Sequence, residues 1–488
     1  ADDPADLPPG VVGYNISGTI SSPVADCYNE GSITGVDYVG GVVGAGNTVI
    51  TNCYNIGTVN GNERVGGVVG YSKAYNGSTT VANCYNTGSI TGSNYVGGVV
   101  GDNDEGSVVG GTNIVTTNCY NTGSVAGGDY VGGVVGSGLN ITDCHNEGSI
   151  TGSNYVGGVV GYSRSAYNRS TTVAHCYNTG IVTGGDYVGG VVGYNEGGTI
   201  NGCYNTGSVT GGDNVGGVVG YNINSNRSDS PVTDCYNEGS ITGGNGVGGV
   251  VGYGDGGTVT GCYNEGNITG KRNVGGVVGY NSRAVIDCYN TGSVTSKEDG
   301  TYVGGVVGYN ADEGTVTSCY NEGSVTGEEY VGGVVGLNNG TVTNCYNTGS
   351  VTGERRVSGG LLGGLVGGMV GLNNGDVTNC YSTGNVTGDE EVGGVIGSND
   401  GIVTNCYNMG SVTGDESVGG VVGLSDGDAA VTNCYYYVDC CANSDSYGTA
   451  LTNEQMLRAE SFEGFDFETV WTMDGNPGYP YPKLINNF

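Results

Sequence analysis

Basic residues, histidine, proline and long apolar runs are all scarce in this sequence. Lys and Arg total 13 against 47 Asp and Glu, a formal charge of −34. That balance excludes nucleic acid as a partner, because phosphates need a basic surface, and it disfavours an anionic membrane surface. No apolar stretch resembles a membrane span. Even Leu361 to Val370 is short and interrupted by glycine. The only histidines, His145 and His175, stand where neighbouring copies of a repeat carry Tyr and Asn, so each reads as drift. A His175–Cys176 catalytic pair is not expected, since neighbours on a strand point to opposite faces. The sequence starts at Ala1 without methionine, so an upstream signal peptide is expected to have been removed, which places the chain outside the cell or at its surface.

Glycine, at 104 residues, raises the question of disorder. Proline is too rare, at 8, and tyrosine too common, at 36, for a flexible linker. The glycines also recur at fixed places between clustered Val and Ile. Cys-Tyr-Asn or a close variant begins at Cys27, Cys53, Cys84, Cys119, Cys144, Cys176, Cys203, Cys235, Cys262, Cys288, Cys319, Cys345, Cys380, Cys406 and Cys434, with a basal step of 25 to 27 residues. A clean copy runs from Gly340 to Gly353, GTVTNCYNTGSVTG, preceded by YVGGVVGLNN from Tyr330.

Val-Gly-Gly-Val-Val-Gly and Gly-Ser-Val-Thr-Gly are short β-branched runs bounded by turn formers, and helical apolar spacing is lacking. One such unit cannot bury its own apolar face, whereas stacked units can. The expected fold is therefore all-β, a parallel β-solenoid (β-helix-like) of about 15 coils with a small C-terminal α+β cap. The expected divisions are an N-terminal extension at 1–10, the solenoid at 11–434 and the cap at 435–488. Extra residues follow Val-Val-Gly at Ser72, Ser163 and Asn222 and follow Val-Thr at Ser296 to Thr301, so both places should be corners. The copy at Ser358 to Gly371 expands the Gly-Val run itself and is expected to form an irregular coil. All four Phe and the sole Trp471 fall in the tail, where Thr452 and Gln455 form a capping box opening a short helix through Arg458. This aromatic segment should cover the last coil, whose backbone edge is otherwise unpaired.

Stacking converts repeated residues into columns. Asn29, Asn55, Asn86 and their equivalents should share amide hydrogen bonds, and Tyr28, Tyr54, Tyr85 and theirs should stack ring on ring. The 17 cysteines include Cys440 and Cys441 beyond the fifteen repeat positions, and their spacing fits no zinc pattern. Strands about 4.8 Å apart put neighbouring Cα atoms inside the disulfide range, but in-register Cβ atoms lie beyond the preferred separation. A buried thiol ladder, bridges within the chain and bridges between chains all remain open, with Cys434, Cys440 and Cys441 as the most irregular cluster.

Carboxylates recur before the Val-Gly-Gly run at Asp37, Glu63, Asp129, Asp186, Asp213, Glu329, Glu390 and Glu416, and after Cys-Tyr-Asn at Glu30, Glu147, Glu238, Glu265 and Glu322. A row of carboxylates invites a structural cation such as Ca²⁺, for which Asp37, Asp129, Asp186, Asp213 and Glu329 are the candidates. The alternative is a solvated acidic edge. No cofactor is otherwise implied. Sequons occur at Asn15, Asn76, Asn140, Asn168, Asn226, Asn267, Asn339 and Asn385; those in insertions (Asn76, Asn168, Asn226) are the better glycosylation candidates. Two enzyme-like strings fail in context. Gly423-Leu424-Ser425-Asp426-Gly427 lacks a strand-to-helix turn, and Gly252, Gly254 and Gly257 are followed by no helix. Carboxylates such as Glu328 and Glu329 are the remaining route to an enzyme, and the expectation is that there is none.

GGVVGLNNGTVTNCYNTGSVTG from Gly332 resembles the GLUG-motif repeat of bacterial and archaeal surface and secreted proteins. The segment from Leu451, LTNEQMLRAESFEGFDFETVWTMDGNPGYPYPKL, resembles the closing segment that follows such arrays. In composition the chain also resembles sheath proteins of methanogenic archaea. These resemblances imply a structural subunit of a surface layer, sheath or filament, with copies of itself or other surface-layer proteins as partners. An adhesin or glycan-binding rod is the alternative.

Overall fold

The computed structural model describes residues 12–15, 23–46, 48–73, 78–104, 114–164, 171–224, 229–353, 364–427, 429–441, 447–473 and 480–485. It divides into two compact units, Ala1–Gly243 with Val250–Gly257, and Gly244–Gly249 with Thr258–Phe488. Each is a parallel β-solenoid.

One coil of the first unit shows how the repeat folds. Strands Val192–Glu196, Gly198–Asn201, Tyr204–Asn205, Val209–Thr210 and Val215–Gly216 follow one another around the coil. They are short because Gly, Asn or Gly-Gly interrupts every apolar run. Each lies parallel to its counterpart in the next coil, with like residues opposed: Val192 against Val219, Ile200 against Val232, Tyr204 against Tyr236 and Val209 against Ile241. The second unit repeats the scheme, with Val307 against Val335, Val316 against Val342, Tyr320 against Tyr346 and Val325 against Val351. The interior is a narrow column of Val, Ile and Cys, of which Val191, Val192, Ile200, Cys203 and Val209 are fully buried. A one-residue slip would turn this column outward, so burial fixes the register.

Two positions in most coils bend the backbone through the left-handed region. The residue before the repeat Cys does so at Asn83, Asn118, Asp143 and His175, with φ between 50° and 56°, which explains why Asn, Asp or Gly usually stands there. A second bend falls on Tyr95, Tyr130, Tyr155 and Tyr187, at φ of 54° to 60°. Bulky residues rarely take this conformation; here successive rings stack at 4.7 to 5.0 Å and offset the strain.

Several expectations need correction. The surplus at Ser296–Thr301 forms a bulge within the strand Val294–Gly304 and directly precedes the left-handed bend at Tyr302, at φ of 62°. Pairing stops after Gly270–Ser296 and resumes in register at Arg272–Thr301, so the extra residues need displace nothing in the core. The coil around Ser358–Gly371 is regular where described: Val331 pairs Val366 and Val335 pairs Val370, while 354–363 lie outside the described residues. The extension at 1–10 lies outside them too. In the tail, Thr452 caps the helix Asn453–Met456 with both halves of the capping box present. The helix stops at Met456 rather than Arg458, because Arg458 N–H bonds Gln455 O and a 3₁₀ turn, Ala459–Ser461, takes over. Thr449–Leu451 pairs with Tyr435–Tyr437, covering that strand's edge as anticipated. The aromatics do something else. They pack sideways on the tyrosine column, joining Tyr346, Tyr381, Tyr407 and Tyr435 to Met456, Phe462, Phe465 and Trp471 in one cluster. Tyr28 is 51% exposed, whereas Tyr407 beneath this cover is fully buried.

Candidate functional site: the side-chain columns

The repeat asparagine makes an unbroken amide column in the first unit. Asn29 Nδ2 donates to Asn55 Oδ1 at 2.7 Å, and the relation repeats through Asn86, Asn121, Asn146, Asn178, Asn205 and Asn237 at 2.7 to 2.8 Å. Each Nδ2 also reaches the carbonyl of the glycine two residues on, as in Asn86 to Gly88 at 2.9 Å. In the second unit the column runs Asn264, Asn290, Asn321, Asn347 and meets Ser382, whose buried hydroxyl has no partner. Ser382→Asn should restore two amide bonds and raise stability by about 1 kcal/mol, measured as a higher midpoint of thermal unfolding.

A second amide column was not anticipated. It links Asn195 to Asn222 in the first unit, and Asn281, Asn310, Asn338, Asn373 and Asn399 in the second, at 2.7 to 2.8 Å. Its signal was present in the Asn of Gly-Tyr-Asn and Gly-Leu-Asn, which recurs with the period of the cysteines. Ser425 of the nucleophile-like string ends this column, its Oγ 3.4 Å from Asn399 Nδ2.

The tyrosines after Cys stack nearly parallel. Tyr54–Tyr85 and Tyr85–Tyr120 have centroids 4.8 and 4.9 Å apart at 3° and 5°, and His145 takes a place in the stack between Tyr120 and Tyr177. Ring faces are therefore covered, and edges and hydroxyls point outward. In the tail, Phe462 meets those edges from the side, 5.9 Å from Tyr407 and 5.1 Å from Tyr435 in T-shaped contacts, and Tyr435 OH donates to Glu463 O at 3.0 Å. Burial pushes the hydroxyl of Tyr320, beside this cluster, up to about 12.

No disulfide joins any two of the 17 cysteines within this structure. Those of the column, Cys53 to Cys434, are buried, while Cys27, Cys440 and Cys441 lie at the ends, with the last two sulfurs 3.4 Å apart. Cys176 Sγ sits 3.3 Å from Ala174 O and 3.7 Å from Ile141 O. Burial raises the Cys144, Cys176 and Cys288 thiols well above their ordinary value, whereas at Cys119, Cys203 and Cys380 the same burial is outweighed by hydrogen bonds from neighbouring cysteines of the column, which lower them. His175 is exposed whereas Cys176 is buried, so the two do not meet as a catalytic pair.

The carboxylate candidates act as acceptors for the adjacent coil. Asp37 Oδ1 accepts Glu63 N–H at 3.3 Å, Asp129 Oδ1 accepts Asn154 N–H at 3.1 Å and Nδ2 at 3.0 Å, and Asp186 Oδ1 accepts Asp213 N–H at 2.9 Å. Asn94 separates Glu63 from Asp129, and Glu329 faces Thr301, so the register brings together carboxylate pairs and not a row. Among the described residues no group of three or more His, Cys, Asp or Glu is arranged to hold a metal ion. The sequons Asn76, Asn168 and Asn226 lie outside the described residues. Asn140, Asn267, Asn339 and Asn385 are engaged in contacts between coils.

An ionic cluster in the first unit escaped the sequence reading. Asp102, 1% exposed, accepts from Arg64 Nε at 3.0 Å and lies 3.3 Å from Arg164 Nη2, and Arg64 also lies over the rings of Tyr38, Tyr71 and Tyr95 at 5.0 to 5.4 Å. In the second unit, half-buried Glu391 has its pKa raised, by burial first and then by Glu390, Asp400 and Asp426, against a hydrogen bond from Ser398 that lowers it. A carboxyl raised in the folded state contributes stability below its ordinary 4.5 that is lost as pH rises through the raised value. Glu391→Gln should therefore match the parent below pH 4.5 and unfold at a higher temperature than it near neutrality, checked by thermal melts across that range.

The repeats at 184–210, 270–295, 299–326 and 327–352 match the model of the GLUG motif. The chain carries GLUG motifs. No curated protein and no solved structure matched the chain. The columns explain the motif physically: in the GLUG repeat at 327–352, Val331, Val334, Val335, Val342, Cys345 and Val351 fill the interior, and Asn338 and Asn347 belong to the two amide columns. No helix among the described residues is long and apolar enough to cross a membrane.

Proposed function

We propose that the protein is a structural subunit of an extracellular layer, sheath or filament, built from copies of itself and without enzymatic activity. The observation that carries this reading is the open strand edges. In the first unit, Val24–Ala25, Tyr28–Asn29 and Ile33–Thr34 pair on one side only among the described residues. In the second, Val422–Ser425 and Ala430–Thr432 pair only with the preceding coil among the described residues. Unpaired parallel edges carrying a repeated register are templates for another copy. The repeat side chains support the same reading, since Cys, Asn and Tyr are spent on contacts between coils. A glycan-binding rod fits less well, because sugars pack on open ring faces and the stacked tyrosines present edges. Electron microscopy of the purified protein and of native envelopes tests the proposal. Ordered sheets or filaments are expected; a protein that stays monomeric and is absent from any ordered layer would overturn it.

A further inference from the structure

The last repeat is closed by a carbonyl that lies between two cysteines. In earlier coils the N–H of the repeat valine donates to a carbonyl of the next coil, as Val351 does to Asn385 O and Val386 to Ser411 O, both at 2.8 Å. Val412 belongs to the last repeat of this kind, and its N–H donates instead to Cys440 O, again at 2.8 Å. A tight turn holds Cys440 in place, its own N–H bonding Tyr437 O at 2.9 Å. The accepting carbonyl is part of the peptide that joins Cys440 to Cys441, and the sulfurs on either side of that peptide are 3.4 Å apart. One peptide unit thus carries both the latch on Val412 and a pair of thiols in contact.

We propose that Cys440 and Cys441 are a redox-sensitive pair, oxidised by a small-molecule disulfide to a vicinal disulfide that releases Val412. Access sets the order of events. Cys441 is partly exposed whereas Cys440 is buried, and burial, followed by the hydrogen bond with Cys441, pushes the Cys440 thiol up. Cys441 therefore attacks first. Its thiolate breaks the S–S bond of the oxidant RSSR and forms a mixed disulfide, and one RSH leaves. Cys440 then gives up its proton and attacks Cys441 Sγ, expelling the second RSH. The chain loses two hydrogens and RSSR gains them. Two sulfurs already 3.4 Å apart close on each other before a second molecule intervenes. The product cannot leave the peptide as it was. Adjacent Cα atoms are about 3.8 Å apart across a planar trans peptide, short of the roughly 4.4 Å at which ordinary disulfides begin. The Cys440–Cys441 peptide must twist, so its carbonyl turns off Val412 N–H, and the strained bond is readily reduced again.

Treating the full chain with oxidised glutathione tests this. The peptide containing both cysteines should become lighter by two hydrogens, carry no glutathione and revert with dithiothreitol. An unmodified peptide, a lasting glutathione adduct at Cys441, or a bond from either sulfur to Cys434 or to another chain would overturn the pair. Hydrogen exchange at the Val412 amide should speed up about tenfold in the oxidised protein, while Val386, one coil earlier, is unchanged. A Val412 amide that keeps its protection once the disulfide has formed would overturn the latch. Cys440→Ser should halt at the glutathione adduct on Cys441, and a peptide free of adduct there refutes the order of attack. Should that variant not fold, Cys441→Ser takes its place and should lose no hydrogens at this peptide; a loss of two is equally fatal.

Discussion

Gly190→Ala is expected to prevent normal folding of its coil. An added methyl would lie 2.0 Å from Gly217 O in the next coil, 2.5 Å from Asn205 Cγ and 2.6 Å from its Oδ1. The nearest of these atoms is backbone of the adjacent coil, and the others belong to a side chain held on both sides by the amide column. None of them can swing away cheaply, so the coils must separate or the glycine segment must shift. Overpacking of a close-packed interior costs about 1–3 kcal/mol even where neighbours can yield. Here the loss should be at or above the top of that range, read as a large fall in the thermal midpoint and faster amide exchange in the flanking coils. Gly427→Ala is the control: nothing lies within 4 Å of its added methyl, and stability should not change measurably. The contrast separates glycines demanded by contact between coils from those that merely fill loops.

Asn205→Ala should cost about 3 kcal/mol. It removes the amide that accepts from Asn178 Nδ2 at 2.8 Å and donates both to Gly207 O at 2.7 Å and to Asn237 Oδ1 at 2.8 Å. Asn178 Nδ2 keeps its bond to Gly180 O, but Gly207 O and Asn237 Oδ1 each lose one in a dry interior, at about 1–3 kcal/mol per orphaned group. Asn205→Asp retains the shape and the acceptors but offers no amide hydrogen and introduces a buried charge, so it should be at least as damaging. Chemical denaturation of the three proteins would show this; a loss below about 0.5 kcal/mol in both variants would mean that the column adds little beyond packing.

The sequence carried the solenoid, the tyrosine stack and the first amide column, because each depends only on the repeat period and parallel stacking. What it hid depended on neighbours in space. Arg64, Asp102 and Arg164 look like isolated departures from three repeat positions, and only the register brings both arginines within 3.3 Å of Asp102. The left-handed tyrosines were hidden for another reason: β-branched and aromatic runs suggest plain strands, whereas Tyr130 and Tyr155 are bends rescued by their own stack. The cap was legible as an aromatic cluster, but not that its rings would pack on the flank, against Tyr407 and Tyr435, while Thr449–Leu451 took the edge. The surplus at Ser296–Thr301 was legible as an insertion, but not that it would be taken up as a bulge beside the bend at Tyr302 with the pairing resumed in register.

The amide columns also have a sense of direction. From Asn29 to Asn205, and again from Asn264 to Asn321, one side-chain N–H of each amide donates to the later coil, whose C=O faces the earlier one. Aligned dipoles add, as they do along an α-helix, and each can polarise the next. Each unit is therefore electrically a small bar with a partly negative leading end and a partly positive trailing end. Two such bars attract nose to tail and repel nose to nose, which biases any longitudinal contact between molecules toward one polarity before a single strand has paired.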